Sequence, residues 1–443
     1  MTAATTTSIT RRLHYAWIIL IMGVLVVFGS LGLARFGYSV ILPSMQAGLG
    51  MNNTQAGGLV TANLLGYVIL SVLGGALAVR YGPRNVIAVG LVFTGGGMLL
   101  TGFAGSFATA TVWRALTGIG SGASNVPVMG LLAAWFAAKR RGLASGIAVG
   151  GSSVALILVG PLVPRLLSVY GESGWRVSWF LFAGIVLALA VLGFFLLRNH
   201  PAEIGLRPAG EEAVERGASG VERPASPHAP RSIAQHPERS GRTPHAPLDW
   251  GRVYRSTTVW HLGLVYIAFG LSYIVYMTFF TKYLIAEGGY SKEAAGNLFM
   301  IMGWFSLISG LIWGMASDAI GRKRALILVY LIHAVAFGLF GLWRTPTGFT
   351  LSAIIFGLAA WSVPAIMSAT CGDLLGPRLA PAALGFITMF FGLGQAIGPS
   401  VAGAIADTRG SFSLAFVLAA VVALVGAGAA ALLRRSSTVE VTS

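Results

Sequence analysis

Long apolar runs separated by short polar breaks dominate the chain. Twelve of them are long enough to cross a hydrocarbon core of about 30 Å, which takes about 20 helical residues. They fall near 16–43, 55–79, 85–104, 107–136, 143–169, 176–198, 256–286, 294–316, 324–342, 348–374, 380–406 and 412–433. Strict alternation of apolar and polar positions, the mark of a membrane strand, is absent from them. The pattern predicts an all-α membrane protein with 12 transmembrane helices. Runs above the minimum length imply tilt or protrusion. Their Gly and Pro residues are tolerable in membrane helices.

One polar stretch differs in kind. From about Asn199 to Arg255 the chain is rich in Pro, Arg, Glu, Ser and His and has no apolar period. It predicts a largely disordered cytoplasmic linker, 199–255, between a bundle of six helices over 1–198 and a second over 256–443 with a short tail. The halves resemble each other. GALAVRYGPR (75–84) aligns with GMASDAIGRK (314–323) at an offset of 239, shared by Gly118 with Gly357 and Gly146 with Gly385. Gly160–Pro161 matches Gly398–Pro399 at 238. A sustained offset predicts two pseudo-symmetric bundles, and such repeats are a transporter signature.

Composition supports this picture. The chain is 55% hydrophobic and 10% charged, with a mean hydropathy of +0.77; soluble domains carry about 25% charged residues. Its 60 glycines suit close helix packing in lipid. A net charge of +16 raises the question of nucleic acid. No basic face interleaves with aromatics, however, so no nucleic-acid partner is expected. The cations instead cluster in alternate polar breaks: Arg11 and Arg12; Arg80 and Arg84; Lys139, Arg140 and Arg141; Arg322, Lys323 and Arg324; Arg378; Arg434 and Arg435. The opposite breaks hold only Arg165, Arg176, Lys282, Lys292, Arg344 and Arg409. The positive-inside rule then predicts a multi-pass protein of the inner (plasma) membrane with both termini cytoplasmic. The first run is too long for a signal-peptide core and reads as a signal anchor. Cys371 is the only cysteine, so no intramolecular disulfide can form.

Four motifs carry a family resemblance. GMASDAIGRKR follows the eighth run and fits G-x-x-x-D-x-x-G-R-K/R. Its copy after the second run keeps Gly75, Arg80, Gly82 and Arg84 but has Val79 where an acid is usual. RALTGIGSG (114–122) fits R-x-x-x-G-x-G, and GQAIGPSVAG (394–403) lies in the eleventh run. On these motifs the chain resembles the major facilitator superfamily (MFS) over nearly all of its length. WFAAKRRGLASGIAVGGSS (135–153), GWR (174–176) and RNHPAEIGLRP (198–208) are similar to segments of oxalate/formate and monocarboxylate porters. Those porters generally hold the substrate carboxylate with an arginine in helix 8; residues 294–316 contain none, a departure from the pattern. The resemblance implies the MFS fold, alternating access, and a central cavity lined by helices 1, 4, 7 and 10. It also implies gating by Arg80, Arg84, Asp318, Gly321 and Arg322.

Candidate chemistry centres on Arg35 and Arg114, which lie inside apolar runs. A guanidinium stays charged at physiological pH, and at depth in a bilayer it costs about 2.5 kcal/mol at the least. Each lies eight residues from the expected outer end of its run, roughly 12 Å in. The N-terminal half has no acid at that depth, so a negatively charged substrate is the expected counter-ion. The competing readings are snorkelling for Arg35 and helix packing or proton coupling for Arg114. Tyr38 shares a face with Arg35, and Asn125 with Arg114. Tyr266, Phe269, Tyr273, Tyr276 and Phe280 form one aromatic face, from which Tyr273 and Tyr276 are candidates for the second half of the site. Trp361 and Gln395 complete the substrate-binding set; for each of these, packing is the alternative.

No metal-ligand cluster, phosphate-cradling loop or catalytic arrangement is visible, so neither an enzyme nor a cofactor is expected. An uncoupled monovalent anion entering an inside-negative cell faces about 2.3 kcal/mol per 100 mV. Partners are therefore a small-molecule solute, the lipid bilayer, and protons or a counter-transported anion. The expected function is secondary active transport of a small organic anion such as a monocarboxylate. An efflux pump for amphiphilic or drug-like solutes and a non-transporting sensor or scaffold are the alternatives.

Overall fold

The computed structural model describes residues 14–210 and 251–433. Arg11, Arg12, Arg434, Arg435, the side chains of Lys139 and Arg378, and residues 211–250 of the linker expected over 199–255 lie outside the described residues.

Within them the chain makes twelve helical traverses. In the first half these are α1 Ala16–Gly48, α2 Asn53–Tyr81, α3 Pro83–Gly102, α4 Phe107–Trp135, α5 Ala138–Tyr170 and α6 Gly174–Leu196. The second half supplies α7 Thr257–Ala286, α8 Lys292–Ile320, α9 Arg322–Leu342, α10 Pro346–Gly376, α11 Ala382–Arg409 and α12 Ser413–Ala431. Among the described residues the only strand-like pairing is an isolated bridge between Phe136 and Ala209.

Local chemistry sets the helix ends. Asn52 and Gln55 close a reciprocal cap on α2, and Ser106 and Thr109 do so on α4. Positive-φ glycines stop or turn the chain at equivalent places in both halves: Gly50 and Gly289, Gly82 and Gly321, Gly171 and Gly410. Each pair keeps the offset of 239 found in the sequence. Only a residue without Cβ adopts these angles cheaply, so the repeat is written into the turns.

The first helix departs from the sequence expectation. It continues through Pro43 to Gly48, and residues Phe28–Phe36 form a π-helical segment. Such segments concentrate at functional sites.

Within each bundle small residues bring backbones together. A Cβ on Gly118 of α4 would lie 1.8 Å from the Asn63 carbonyl oxygen of α2; one on Gly120 would meet the Thr94 nitrogen of α3 at 2.3 Å. The glycines of the 114–122 motif thus let α4 nest between α2 and α3. Order also continues past α6. Asn199 Oδ1 accepts from Arg84 N at 2.9 Å, Trp135 Nε1 donates to Arg198 O at 2.8 Å, and Ala209 N donates to Trp135 O at 2.8 Å. Residues 199–210 are therefore docked on the first bundle.

The two bundles meet along α2 against α11, α5 against α8, and α1 against α7. One end of this seam is sealed. A Cβ on Gly57 would sit 2.1 Å from Pro399 O, and Gly160 and Gly296 approach each other as closely. Asp407 of α11 accepts from Asn53 N (2.9 Å), Thr54 N (2.8 Å) and Thr54 Oγ1 (2.6 Å) at the start of α2. Thr61 Oγ1 donates to Ala396 O at 2.6 Å, and Thr281 Oγ1 donates to Ser39 O. Toward the other end the bundles part. Gly75, Gly146, Gly314 and Gly385 have nothing within 4 Å of the place a Cβ would occupy. Val79 and Met315 are exposed there.

Candidate functional site

The π-helical turn of α1 carries Arg35 to the seam. Its side chain is 7% exposed, and the guanidinium lies 4.3 Å from the centroid of the Tyr67 ring on α2. Nε and Nη2 have no hydrogen-bond partner. Among the described residues the ion pairs are Arg322 with Asp318 and Asp373, and Arg344 with Glu287; none involves Arg35. On the sealed side, a void of only about 10 Å³ remains between Arg35, Tyr38, Val60, Ile274 and Met277. Such a space holds at most one water. The cation is therefore closely packed on that flank and lies against the Tyr67 ring on another.

The Tyr273 hydroxyl of α7 faces Arg35 from the second bundle. Gln395 Nε2 of α11 donates to that hydroxyl. From the first bundle, Asn125 Nδ2 of α4 donates to the Tyr67 hydroxyl at 3.1 Å. Arg35, Asn125, Tyr273 and Gln395 are thus linked across the seam through Tyr67 and the Tyr273 hydroxyl. Tyr67 was not singled out from sequence. Asn63 and Tyr67 share a face of α2 by their i, i+4 spacing, and that is the one local signal that pointed to it.

Arg114 sits elsewhere. It is fully buried inside the first bundle, and its Nη1 donates to Ala34 O at 2.7 Å. Its guanidinium lies 5.2 Å from the Tyr38 ring and 4.9 Å from Trp179 of α6. Aromatic faces attract a cation through the ring quadrupole; Nε and Nη2 of Arg114, like those of Arg35, have no hydrogen-bond partner among the described residues. The Tyr38 hydroxyl is used too, donating to Ala56 O at 2.9 Å. Arg114 of α4 meets α1 at Ala34, next to Arg35 in the chain, but only Arg35 reaches the seam.

Two further candidates separate. Tyr276 lies inside the second bundle among Phe280, Phe337, Phe340, Phe356 and Phe416, its hydroxyl 2.7 Å from Ser352 Oγ. The structure does not bring it to the site, because residues three apart on a helix differ by about 60° in direction. Trp361 borders the site. Its ring packs 5.5 Å from Phe36, and its Nε1 donates to Ser153 Oγ of α5 at 2.8 Å. Trp361 itself marks a break in α10, and α8 breaks between Ser306 and Ser309 beside it.

A family model described as Major Facilitator Superfamily matches residues 24–291, more than half of the chain. The chain belongs to the Major Facilitator Superfamily. It is a membrane transporter, not an enzyme. A second MFS model, described as uncharacterised MFS-type transporter YbfB, matches 233–431. The probable sulfoacetate transporter SauU of Cupriavidus necator is 25% identical over 413 residues, 90% of this chain and 88% of that one. Human monocarboxylate transporter 1 is 24% identical over 359 residues, covering 78% and 70%. In solved structures, the inward-facing, unoccupied bacterial homologue of the human lysosomal transporter Spinster aligns with a TM-score of 0.72. It is 16% identical and covers 95% of this chain and 97% of its own. That likeness supports the MFS fold.

The MFS loop motifs occupy the open end. Gly82 and Gly321 hold the same positive-φ turn. Arg322 pairs with Asp318 at 2.5 Å and Asp373 at 2.8 Å, and also donates to Ser317 Oγ at 2.6 Å. All of these partners lie in the second bundle. In the first, Arg80 lies over Tyr81 and Arg84 over Phe194 of α6. Val79, at the position equivalent to Asp318, is 90% exposed and offers no carboxylate. Asp373 and Asp407 were not singled out from sequence; each acts on residues distant in the chain. A cleft of about 600 Å³ beside Arg322, Lys323 and Arg324 lies apart from the Arg35 site.

Proposed function

We propose that the protein is a secondary active transporter that carries a small organic anion, such as a monocarboxylate, by alternating access. The observation that carries this reading is Arg35: a buried cation at the seam, with two unpartnered nitrogens and no acid paired to it among the described residues. A permanent charge in that position is stabilised by cargo of opposite sign. The printed names of relatives, for sulfoacetate and for monocarboxylates, agree with an anionic cargo.

In this reading the open end is cytoplasmic, since Arg80, Arg84, Arg140, Arg141, Arg322 and Arg324 gather there. The sealed outer end and parted inner end correspond to an inward-facing state. Rocking of the bundles about Arg35 would expose the site to each side in turn. The Asp318–Arg322–Asp373 group and the Gly82 and Gly321 turns act as the inner gate. Coupling to protons or to a counter-transported anion offsets the membrane potential during uptake. The aromatic face of α7 gives the amphiphile-efflux reading little support, because Tyr266, Phe269 and Tyr273 stack on one another and on Phe391.

A competition panel in proteoliposomes tests the proposal. Small carboxylates and sulfonates are expected to displace labelled substrate, and Arg35→Gln to abolish the displacement. Arg114→Gln is expected to act on stability more than on affinity. Displacement by hydrophobic cations but not by carboxylates overturns the anion reading.

A further inference from the structure

On Arg35 and on the two carboxamides joined to its tyrosine neighbours, four buried atoms lack hydrogen-bond partners, and they are of two chemical kinds. Nε and Nη2 of Arg35 are donors; Oδ1 of Asn125 and Oε1 of Gln395 are carboxamide oxygens. One carboxamide comes from each bundle. Asn125 reaches Arg35 through the Tyr67 ring on which the guanidinium lies. Gln395 reaches it through the Tyr273 hydroxyl. Each carboxamide therefore uses one end on a tyrosine that adjoins the guanidinium and leaves the other end idle.

A plain carboxylate does not complete this set. It has only acceptors to offer, so it satisfies the guanidinium and leaves the amide oxygens unpaired. An ammonium group would pair with those oxygens but would stand against the Arg35 charge. A hydroxyl both donates and accepts, and so pairs with a carboxamide end whichever of its two atoms faces inward. Sites built to hydrogen-bond a substrate hydroxyl reject analogues that lack it, because the buried polar groups are then left unmatched.

We infer that the cargo is a hydroxylated carboxylate, its carboxylate on Arg35 and its hydroxyls on the free ends of Gln395 and Asn125. This rests on the anion reading above and narrows it to polyhydroxy acids rather than aliphatic monocarboxylates. Tyr67 and Tyr273 are then positioning residues: each orients one carboxamide and one flank of the guanidinium. Because the two carboxamides belong to different bundles, a polyhydroxy chain bridges the seam, and a short aliphatic acid does not.

The test is a thermal-stabilisation series on the purified full-length protein with propanoate, lactate, glycerate and gluconate as sodium salts at matched ionic strength, with glycerol as the uncharged polyol. Binding raises apparent stability by mass action. Apparent affinity is expected to rise about tenfold for each hydroxyl engaged, and glycerol to have no effect. In Gln395→Leu and in Asn125→Leu the gap between propanoate and glycerate is expected to narrow. In Tyr67→Phe, which keeps the ring under Arg35 but frees Asn125, the gap narrows while the dependence on a carboxylate persists. Equal stabilisation by propanoate and glycerate overturns the hydroxyl inference and leaves the anion reading standing. Silence from every carboxylate, or stabilisation by glycerol as strong as by glycerate, overturns the anion reading itself. The wild-type series decides without the variants, so one that fails to fold does not leave the question open.

Discussion

Replacing Asp407 by Ala is expected to loosen the sealed end without unfolding either bundle. The Asp407 carboxylate accepts three hydrogen bonds from Asn53 and Thr54, at the first turn of α2. It therefore caps a helix N-terminus that belongs to the other bundle, where free N–H groups and the helix dipole both favour a negative charge. Loss of such a cap costs about 0.5–2 kcal/mol. Asp407 is exposed, which argues for the middle of that range. The contact crosses the seam, so all of its energy is differential between sealed and parted conformers. A change of about 1.4 kcal/mol shifts their ratio about tenfold. Cysteines in place of exposed Ala47 and Thr408, in a Cys371→Ala background, would carry spin labels for a distance measurement. The wild-type background should give one short distance. Asp407→Ala should add a longer population of at least several per cent. Identical distance distributions, with both proteins monodisperse and equally stable to heat, would refute the reasoning.

Further outcomes follow from the packing. Gly57→Val, whose first added atom would lie 2.1 Å from Pro399 O, should shift the same distance distribution toward the longer population; Gly118→Ala, within the first bundle, should instead lower the melting temperature by a few degrees through overpacking worth about 1–3 kcal/mol. Tyr276→Phe should cost about 1 kcal/mol of stability through its lost bond to Ser352 and leave ligand affinity unchanged, whereas Tyr273→Phe should weaken ligand-induced stabilisation. Asp373→Asn should change stability by less than about 1 kcal/mol in a thermal melt, because that carboxylate is 53% exposed where it meets Arg322.

The membrane spans and their repeat were legible because both are carried by local pattern: hydrophobic run length, and a fixed offset between turn glycines. The glycine motif of α4 was legible for the same reason, since spacing along one helix decides which neighbours can approach. The site was legible only in part. Arg35 stood out as a charge in an apolar run, and Gln395 and Asn125 as amides at depth. Tyr67 did not, because an aromatic in a membrane helix is ordinary until its ring is found under a guanidinium. Tyr276 shared a face with Tyr273 by periodicity, but periodicity says nothing about which neighbouring helix each one meets. Asp407 meets Asn53 and Thr54 from more than three hundred residues away, and no local feature marks either partner. Arg114 stood out in the sequence as a charge in an apolar run, and it is buried. Its partners are ring faces and the Ala34 carbonyl, contacts that depend on where α6 packs.

The π-helical segment Phe28–Phe36 has a further implication. A wide turn of this kind arises when a helix accommodates one surplus residue. Excising a single residue there would let the segment relax to ordinary geometry while the stretches on either side kept their phase, so that only residues inside the wide turn, Arg35 among them, would change direction. The head of Arg35 would then lose its present aim at the Tyr67 ring, although every neighbouring side chain was untouched. The placement of this buried charge thus hangs on one extra residue in the helix as much as on the identity of its neighbours.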